Sequence, residues 1–224
     1  MGQAACASGG FRVIEVQDAA AQLAQLAARA ATCTACGLSQ TRTTVVFGEG
    51  NPQAPLMIVG EGPGEREDLT GRPFVGRAGA LLDECLAENG ITRRHVYIAN
   101  VVKCRACIVE NGRKRNRPPT PQEIAACNPW LQQQLEIVKP LVVLCLGAPS
   151  ASLLIHKNFR MTQERGKFFE VPYARYAIAA LHPAYILRQG GQAFLEARKT
   201  LVQDIEAARL KVIEVRREAK KTLF

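Results

Sequence analysis

Leu56-Met57-Ile58-Val59-Gly60-Glu61-Gly62-Pro63-Gly64 runs four consecutive apolar residues straight into a glycine-rich turn. An apolar run of strand length without polar alternation belongs to a strand covered on both faces, the pattern of a parallel sheet. Outward from it the pattern repeats. Val96-Tyr97-Ile98-Ala99 ends at Asn100, Leu141 to Leu146 ends at Gly147-Ala148, and Ala177 to Leu181 ends at His182-Pro183. Helical patterns lie between these runs. Arg77 to Asn89 puts Ala80, Leu81, Cys85 and Leu86 at helical spacing, with Gly90 as the stop. Thr120-Pro121-Gln122-Glu123 is a helix start: Thr caps, Pro takes the first helical position and Glu reaches back to the cap's N–H. That helix is predicted to run to about Val138, where Lys139-Pro140 ends it. An Ala/Leu-rich helix capped by Asp18 is predicted to about Ala31, a short one from Ser150 to about Lys157, and a last one from about Ala193 to Arg217. Strands alternating with helices give an α/β protein with helices on both faces of a parallel sheet. Ligands in such sheets sit beyond the carboxyl ends of the strands. Gly60–Gly64, Asn100, Gly147-Ala148 and His182 all fall on that rim.

With 224 residues, 47% of them hydrophobic, the chain is expected to form a packed core in one domain. Residues 1–17 read as a loose N-terminal arm, and 18–224 as the domain, with a basic insertion loop at about 105–119. The net charge of +9 points to a polyanionic partner, nucleic acid being the commonest, although a merely basic surface gives the same number. No apolar run approaches the ~20 residues of a membrane span. No basic-then-apolar leader opens the chain. Met1-Gly2 begins a myristoylation pattern, but Cys6 stands where Ser or Thr is required. The expected location is therefore the bacterial cytoplasm, where eight cysteines suggest metal or cluster ligation rather than disulfides.

Cys33-x-x-Cys36 and Cys104-x-x-Cys107 form two pairs, and Cys127 lies in the helix begun by Thr120. Two ligand sets are open from spacing alone. One is a four-thiolate zinc site on the two pairs. The other is an iron–sulfur cluster on Cys33, Cys36, Cys104 and Cys127. Cys85 and Cys145 sit in apolar contexts and read as core residues, and Cys6 is expected to play no part. The glycine turn is not a dinucleotide fingerprint: the third glycine of G-x-G-x-x-G would fall on Glu65, and Pro63 intrudes.

Taken together, Gly60-Glu61-Gly62-Pro63-Gly64-Glu65-Arg66-Glu67-Asp68, Thr70-Gly71-Arg72-Pro73-Phe74-Val75-Gly76, Asn100-Val101-Val102-Lys103-Cys104 and His182-Pro183-Ala184-Tyr185-Ile186-Leu187-Arg188 resemble, in order and spacing, the family 4 uracil-DNA glycosylases. The resemblance implies a three-layer α/β/α sandwich with a central four-stranded parallel sheet. It implies hydrolysis of the glycosidic bond of uracil in DNA, without a lyase step, by a monomer acting on single- or double-stranded DNA. It also implies a 4Fe-4S cluster on Cys33, Cys36, Cys104 and Cys127. The family usually has Arg-Pro-Pro where this chain reads Arg105-Ala106-Cys107, and the segment up to Cys127 is longer here, which keeps Cys107 as a reserve ligand. A superfamily branch that crosslinks itself to uracil-DNA carries a reactive histidine in this loop. No histidine lies between Cys104 and Cys127, so that chemistry is not expected.

The residue types suit the reaction. A base must leave the stack before its glycosidic bond is reachable. Phe74 offers a stacking face and Gly62 a close backbone approach. The Asn100 amide can match uracil N3–H and O4 while leaving cytosine unpaired. His182, as a neutral imidazole, can donate to uracil O2 as negative charge develops there. By the same resemblance Glu61 lines the region of the attacking water, and Glu67 lies near the pocket, to help position that water or to bar a bulky 5-methyl group. Arg77, Arg188 and the loop residues Arg113, Lys114 and Arg115 are expected to meet DNA phosphates. A second reading keeps the same residues in a binder of uracil or abasic sites with little turnover.

Overall fold

The computed structural model describes residues 18–221, so the expected arm at 1–17 lies outside the described residues. The chain runs α1 (Ala19–Ala31), a 3-10 turn (Gly37–Gln40), β1 (Glu49–Gly50), β2 (Leu56–Gly60), α2 (Glu65–Thr70), α3 (Arg77–Glu88), β3 (Val96–Asn100), β4 (Cys107–Glu110), β5 (Arg113–Asn116), α4 (Pro121–Val138), β6 (Val142–Leu146), α5 (Ala148–Leu154), α6 (Met161–Glu164), β7 (Phe168–Val171), β8 (Ala174–Ala180), α7 (Pro183–Ile186) and α8 (Gly191–Lys221).

The four predicted strands form the centre of the sheet in the order β3-β2-β6-β8, all parallel. β2, β3 and β6 are buried along their whole length, as their unbroken apolar sequences require. Two antiparallel edge strands were not foreseen. β1 pairs with β3 over two residues, and β7 pairs with β8 through a register shift between Phe169 and Val171. Both are short or irregular, which leaves little periodicity to read and suits an edge that must not recruit further strands.

Side chains alternate across the sheet into two cores. Met57, Val59, Tyr97, Ala99, Val143 and Cys145 pack under α1, α4 and α5. Leu56, Ile58, Val96, Ile98, Leu144 and Leu146 pack under α3 and α8. Cys85 and Cys145 are fully buried, one on each side. This is the three-layer sandwich. A leucine such as Leu144, with no exposed surface, sets the scale of what holds it together: Leu→Ala at such a position costs about 2–5 kcal/mol.

α4 begins as its sequence dictates. Glu123 N–H donates to Thr120 Oγ1 at 3.2 Å and Thr120 N–H donates to Glu123 Oε2 at 2.8 Å. Arg117 reinforces the cap with two bonds to the same carboxylate, and its guanidinium holds Glu123 below the usual carboxylate range. The expected loop at 105–119 is corrected in part: its middle is a two-stranded ribbon, β4 against β5, turning at Asn111-Gly112 with φ of 50° and 73°. Two left-handed residues between strands are what a tight hairpin of this twist needs. Among the described residues no helix is long and apolar enough to cross a membrane.

Candidate active site and cysteine pocket

A cavity of about 610 Å³ opens at the carboxyl ends of the strands, where β2 and its neighbour β6 send the chain in opposite directions. Glu61, Gly62 and Glu67 after β2, Phe74 before α3, Asn100 at the end of β3 and His182 after β8 all line it, with Arg77 and Arg188. Residues more than a hundred positions apart in the chain thus share one wall.

Two of these side chains carry the chemistry, Asn100 and His182. Asn100 is 1% exposed, and its Oδ1 is buried without a hydrogen-bond partner. An orphan acceptor of this kind costs about 1–3 kcal/mol unless a ligand completes it. The atom sits against Gly60: a Cβ built there would lie 2.5 Å from both Asn100 Oδ1 and the Phe74 ring. Glycine at position 60 is therefore what lets the amide and the aromatic ring approach one another. His182 caps α7, its Nδ1 accepting from Ala184 N–H at 3.0 Å. That bond leaves the ring's proton on Nε2. Burial first, and then the Arg188 charge, push its pKa down to about 4, with Glu67 opposing, so the imidazole is neutral at pH 7. The His182 and Phe74 rings stand 5.8 Å apart at 32°.

Phe74 adopts a φ of 54°, a left-handed conformation that costs a non-glycine residue about 1–3 kcal/mol. Its neighbours on both sides hold it there. Arg93 donates to Pro73 O at 2.9 Å and to Phe74 O, while its own position is fixed by Glu49 and Asp83. Val75 and Gly76 N–H donate to Glu67 Oε1 at 2.8 and 2.7 Å, and Gly64 N–H donates to Oε2 at 3.1 Å. Both oxygens of Glu67 are thus engaged by backbone, which ties the glycine loop to the Phe74 turn. Among the described residues Glu61 accepts no such backbone bonds. It lines the cavity, and burial raises its pKa.

A second pocket lies on the other side of β3. Cys33, Cys36, Cys104 and Cys127 all line it, between Ala30, Ala35, Val45, Ala126 and Trp130, with Arg42 and Lys103 at its wall. Cys107 is outside it, at the root of the ribbon, paired with Asn116. Arg42 donates to Cys33 O at 2.6 Å and reaches Cys104 Sγ at 3.5 Å. Lys103 N–H donates to Cys127 Sγ at 3.2 Å. Burial pushes the Cys104 thiol up to about 11 and raises that of Cys127, the nearby cations opposing in both cases. Among the described residues no group of three His, Cys, Asp or Glu is gathered for a single metal ion.

The model of the uracil DNA glycosylase superfamily matches residues 47–206, a span that contains the whole cavity. The chain belongs to this superfamily. It is 47% identical over 182 residues to the type-4 uracil-DNA glycosylase of Thermotoga maritima, covering 81% of this chain and 90% of that one. It is 41% identical over 165 residues to the type-4 enzyme of Archaeoglobus fulgidus, covering 70% and 78%. Against the type-5 uracil-DNA glycosylase of Thermus thermophilus identity is 29% over 185 residues, covering 74% and 80%.

Within this superfamily member, the expected DNA contacts divide in two. Arg77 and Arg188 are at the cavity, whereas Arg113, Lys114 and Arg115 lie on β5, exposed. Lys114 is already committed to Thr41 O at 2.5 Å, and Arg115 pairs with Glu110 at 3.3 Å. The ribbon is rooted at the cavity through Asn116, which lines it and accepts from the buried Arg105 at 2.7 Å. Arg93, Lys103, Gln134 and the role of Gly60 are not anticipated by sequence reasoning. Lys103 could have been flagged as a charged residue directly after an apolar strand. Arg93 and Gln134 carry no local signal, because their partners are 10 to 87 residues away.

Proposed function

We propose that this chain hydrolyses the N-glycosidic bond of uracil in DNA and releases uracil, leaving an abasic site. The observation that carries the reading is the buried, unpartnered Asn100 Oδ1 in one cavity with a neutral His182 whose Nε2–H is free of its own cap. An acceptor for uracil N3–H and a donor for uracil O2 are the two groups needed to recognise the base and to stabilise it as it departs.

The everted base stacks on Phe74, whose turn is held before substrate arrives, so little ordering remains to be done on binding. As the bond lengthens, the sugar gains oxocarbenium character and charge accumulates on uracil O2. A neutral N–H donor in a dry site favours that charge over the ground state. Glu61, a cavity carboxylate whose neighbour Glu65 is paired with Arg105, holds the attacking water. Glu67 is a positioning residue, since its carboxylate already accepts three N–H groups and has the Phe74 turn to hold. Arg77 and Arg188 meet phosphates beside the flipped nucleotide. Arg113 and Arg115, with exposed Ile108 and Val109 alongside, meet the flanking strand.

The four-cysteine pocket suits a 4Fe-4S cluster on Cys33, Cys36, Cys104 and Cys127. The four cysteines line one pocket bounded mostly by apolar side chains, and Lys103, also in its lining, is fully buried, its pKa pushed down to about 7 by burial with Cys127 and Cys104 opposing. Burial disfavours its ammonium form, and thiolate charge beside it would favour that form. When bound, the cluster would supply iron–thiolate cross-links joining the segment after α1, the end of β3 and α4.

Turnover on a uracil-containing oligonucleotide tests the proposal. Repeated release of uracil per chain supports it. Stoichiometric retention of the DNA without release would instead establish the binder.

A further inference from the structure

Lys103 lines the cysteine pocket and bonds Asn100, which lines the cavity. Its main-chain N–H bonds Cys127 Sγ at 3.2 Å, and its side chain folds back so that Nζ donates to Asn100 O at 2.7 Å and to Gln134 Oε1 at 2.5 Å. Cys127 and Gln134 are seven residues apart on α4, two turns, and so share one face. Lys103 spans that face. Gln134 passes the tie onward, donating to Phe47 O at 2.8 Å and to Tyr97 Oη at 3.2 Å. Lys103 O accepts from Val46 N–H at 2.8 Å. The residues between Asn100 and Lys103 are sewn to the glycine loop, Val101 N–H to Gly60 O at 2.9 Å and Val102 N–H to Glu61 O at 3.0 Å.

We propose that Lys103 is the positioning residue that ties the four-cysteine pocket to Asn100, so that the integrity of that pocket fixes the base-reading amide. The proposal deepens the glycosylase reading and rests on it. Lys103 grips the carbonyl of Asn100, while the side-chain oxygen is left for the ligand. Removing the ammonium frees the strand end that carries the amide. Loosening Cys127 does the same from the other direction, because it releases the main chain of Lys103.

The test uses the intact, coloured holoprotein and reads amide hydrogen exchange together with uracil release. Lys103→Met keeps the aliphatic stem and removes the charge. Exchange at Val101 and Val102 is expected to accelerate at least ~10-fold. In uracil release kcat is expected to fall about 30-fold with KM nearly unchanged, and the double variant with Asn100→Ala to lose no more than Asn100→Ala alone. Cys127→Ala is expected to accelerate the same two amides. Gln134→Leu, milder for folding, should give a smaller change of the same kind if Lys103→Met does not fold. Unchanged exchange at Val101 and Val102, or losses that multiply in the double variant, would overturn the tie. Exchange that responds in a protein releasing no uracil would defeat the glycosylase reading while leaving the tie standing.

Discussion

The cavity and the β4–β5 ribbon are both polar, both near the expected path of DNA, and built in opposite ways. In the cavity Phe74, His182 and Asn100 are each fixed by hydrogen bonds to or from main-chain groups: Phe74 between Arg93 and Glu67, His182 by its own cap, Asn100 by Lys103. On the ribbon the charges ride on an exposed strand, and two of its three basic side chains are met by a carbonyl or a carboxylate at the surface. Preorganised dipoles in a dry site act on the chemical step, whereas solvated charges act on encounter and are screened by salt. The two regions should therefore fail differently when altered.

The largest effect is expected at the cavity. Asn100→Asp and His182→Ala should each reduce uracil release by about 10²–10³ while leaving the circular dichroism of the fold intact, since each removes a group aimed at the leaving base. Single-turnover rates that match the parent in both would break the assignment. Gly60→Ala comes next. Its Cβ would stand 2.5 Å from both Asn100 Oδ1 and the Phe74 ring, so one of them must move, and uracil release should fall about 10- to 100-fold. A full rate there would mean the two groups do not need their present spacing. On the ribbon, Arg113→Ala with Arg115→Ala should raise KM several-fold at low salt, leave kcat unchanged, and lessen the salt dependence of DNA binding by up to about two counterions. A loss in kcat instead would place the ribbon in the chemistry and erase the contrast.

The smallest effect concerns pH. His182 titrates near 4 in the folded protein against 6.5 when exposed. Between these values the unfolded chain binds more protons than the folded one, so this group's contribution to stability rises with pH from about 4 to 6.5 and is lost as pH falls through that window. Uracil release should accordingly show no inflection near 6.5, and the imidazole nitrogen shifts of His182 should move only toward pH 4. A His182 midpoint near 6.5 would mean the cavity is wetter than the geometry implies.

The limits of the sequence follow from particular residues. β2, β3 and β6 were readable because a strand buried on both faces is apolar throughout. The start of α4 was readable because Thr120 and Glu123 are three positions apart and answer each other. β7 was not, since its four residues alternate weakly and contain a register shift. The ribbon hid in a run of charges, although its Asn111-Gly112 turn was there to be noticed. Glu67 could be nominated from its neighbours, but not its task.

By itself, then, the sequence determined what local chemistry dictates: the central strands, the caps of the long helices, the family motifs and the rim on which they end. Tertiary structure alone decided that Glu67 is consumed by backbone donors, that Asn100 keeps a buried oxygen free, and that a lysine joins the cysteine pocket to Asn100. The physical reason is range. Hydrophobic periodicity and capping act over a few residues and are written in order, whereas burial and hydrogen-bond completion depend on partners that the chain brings together only after it has folded.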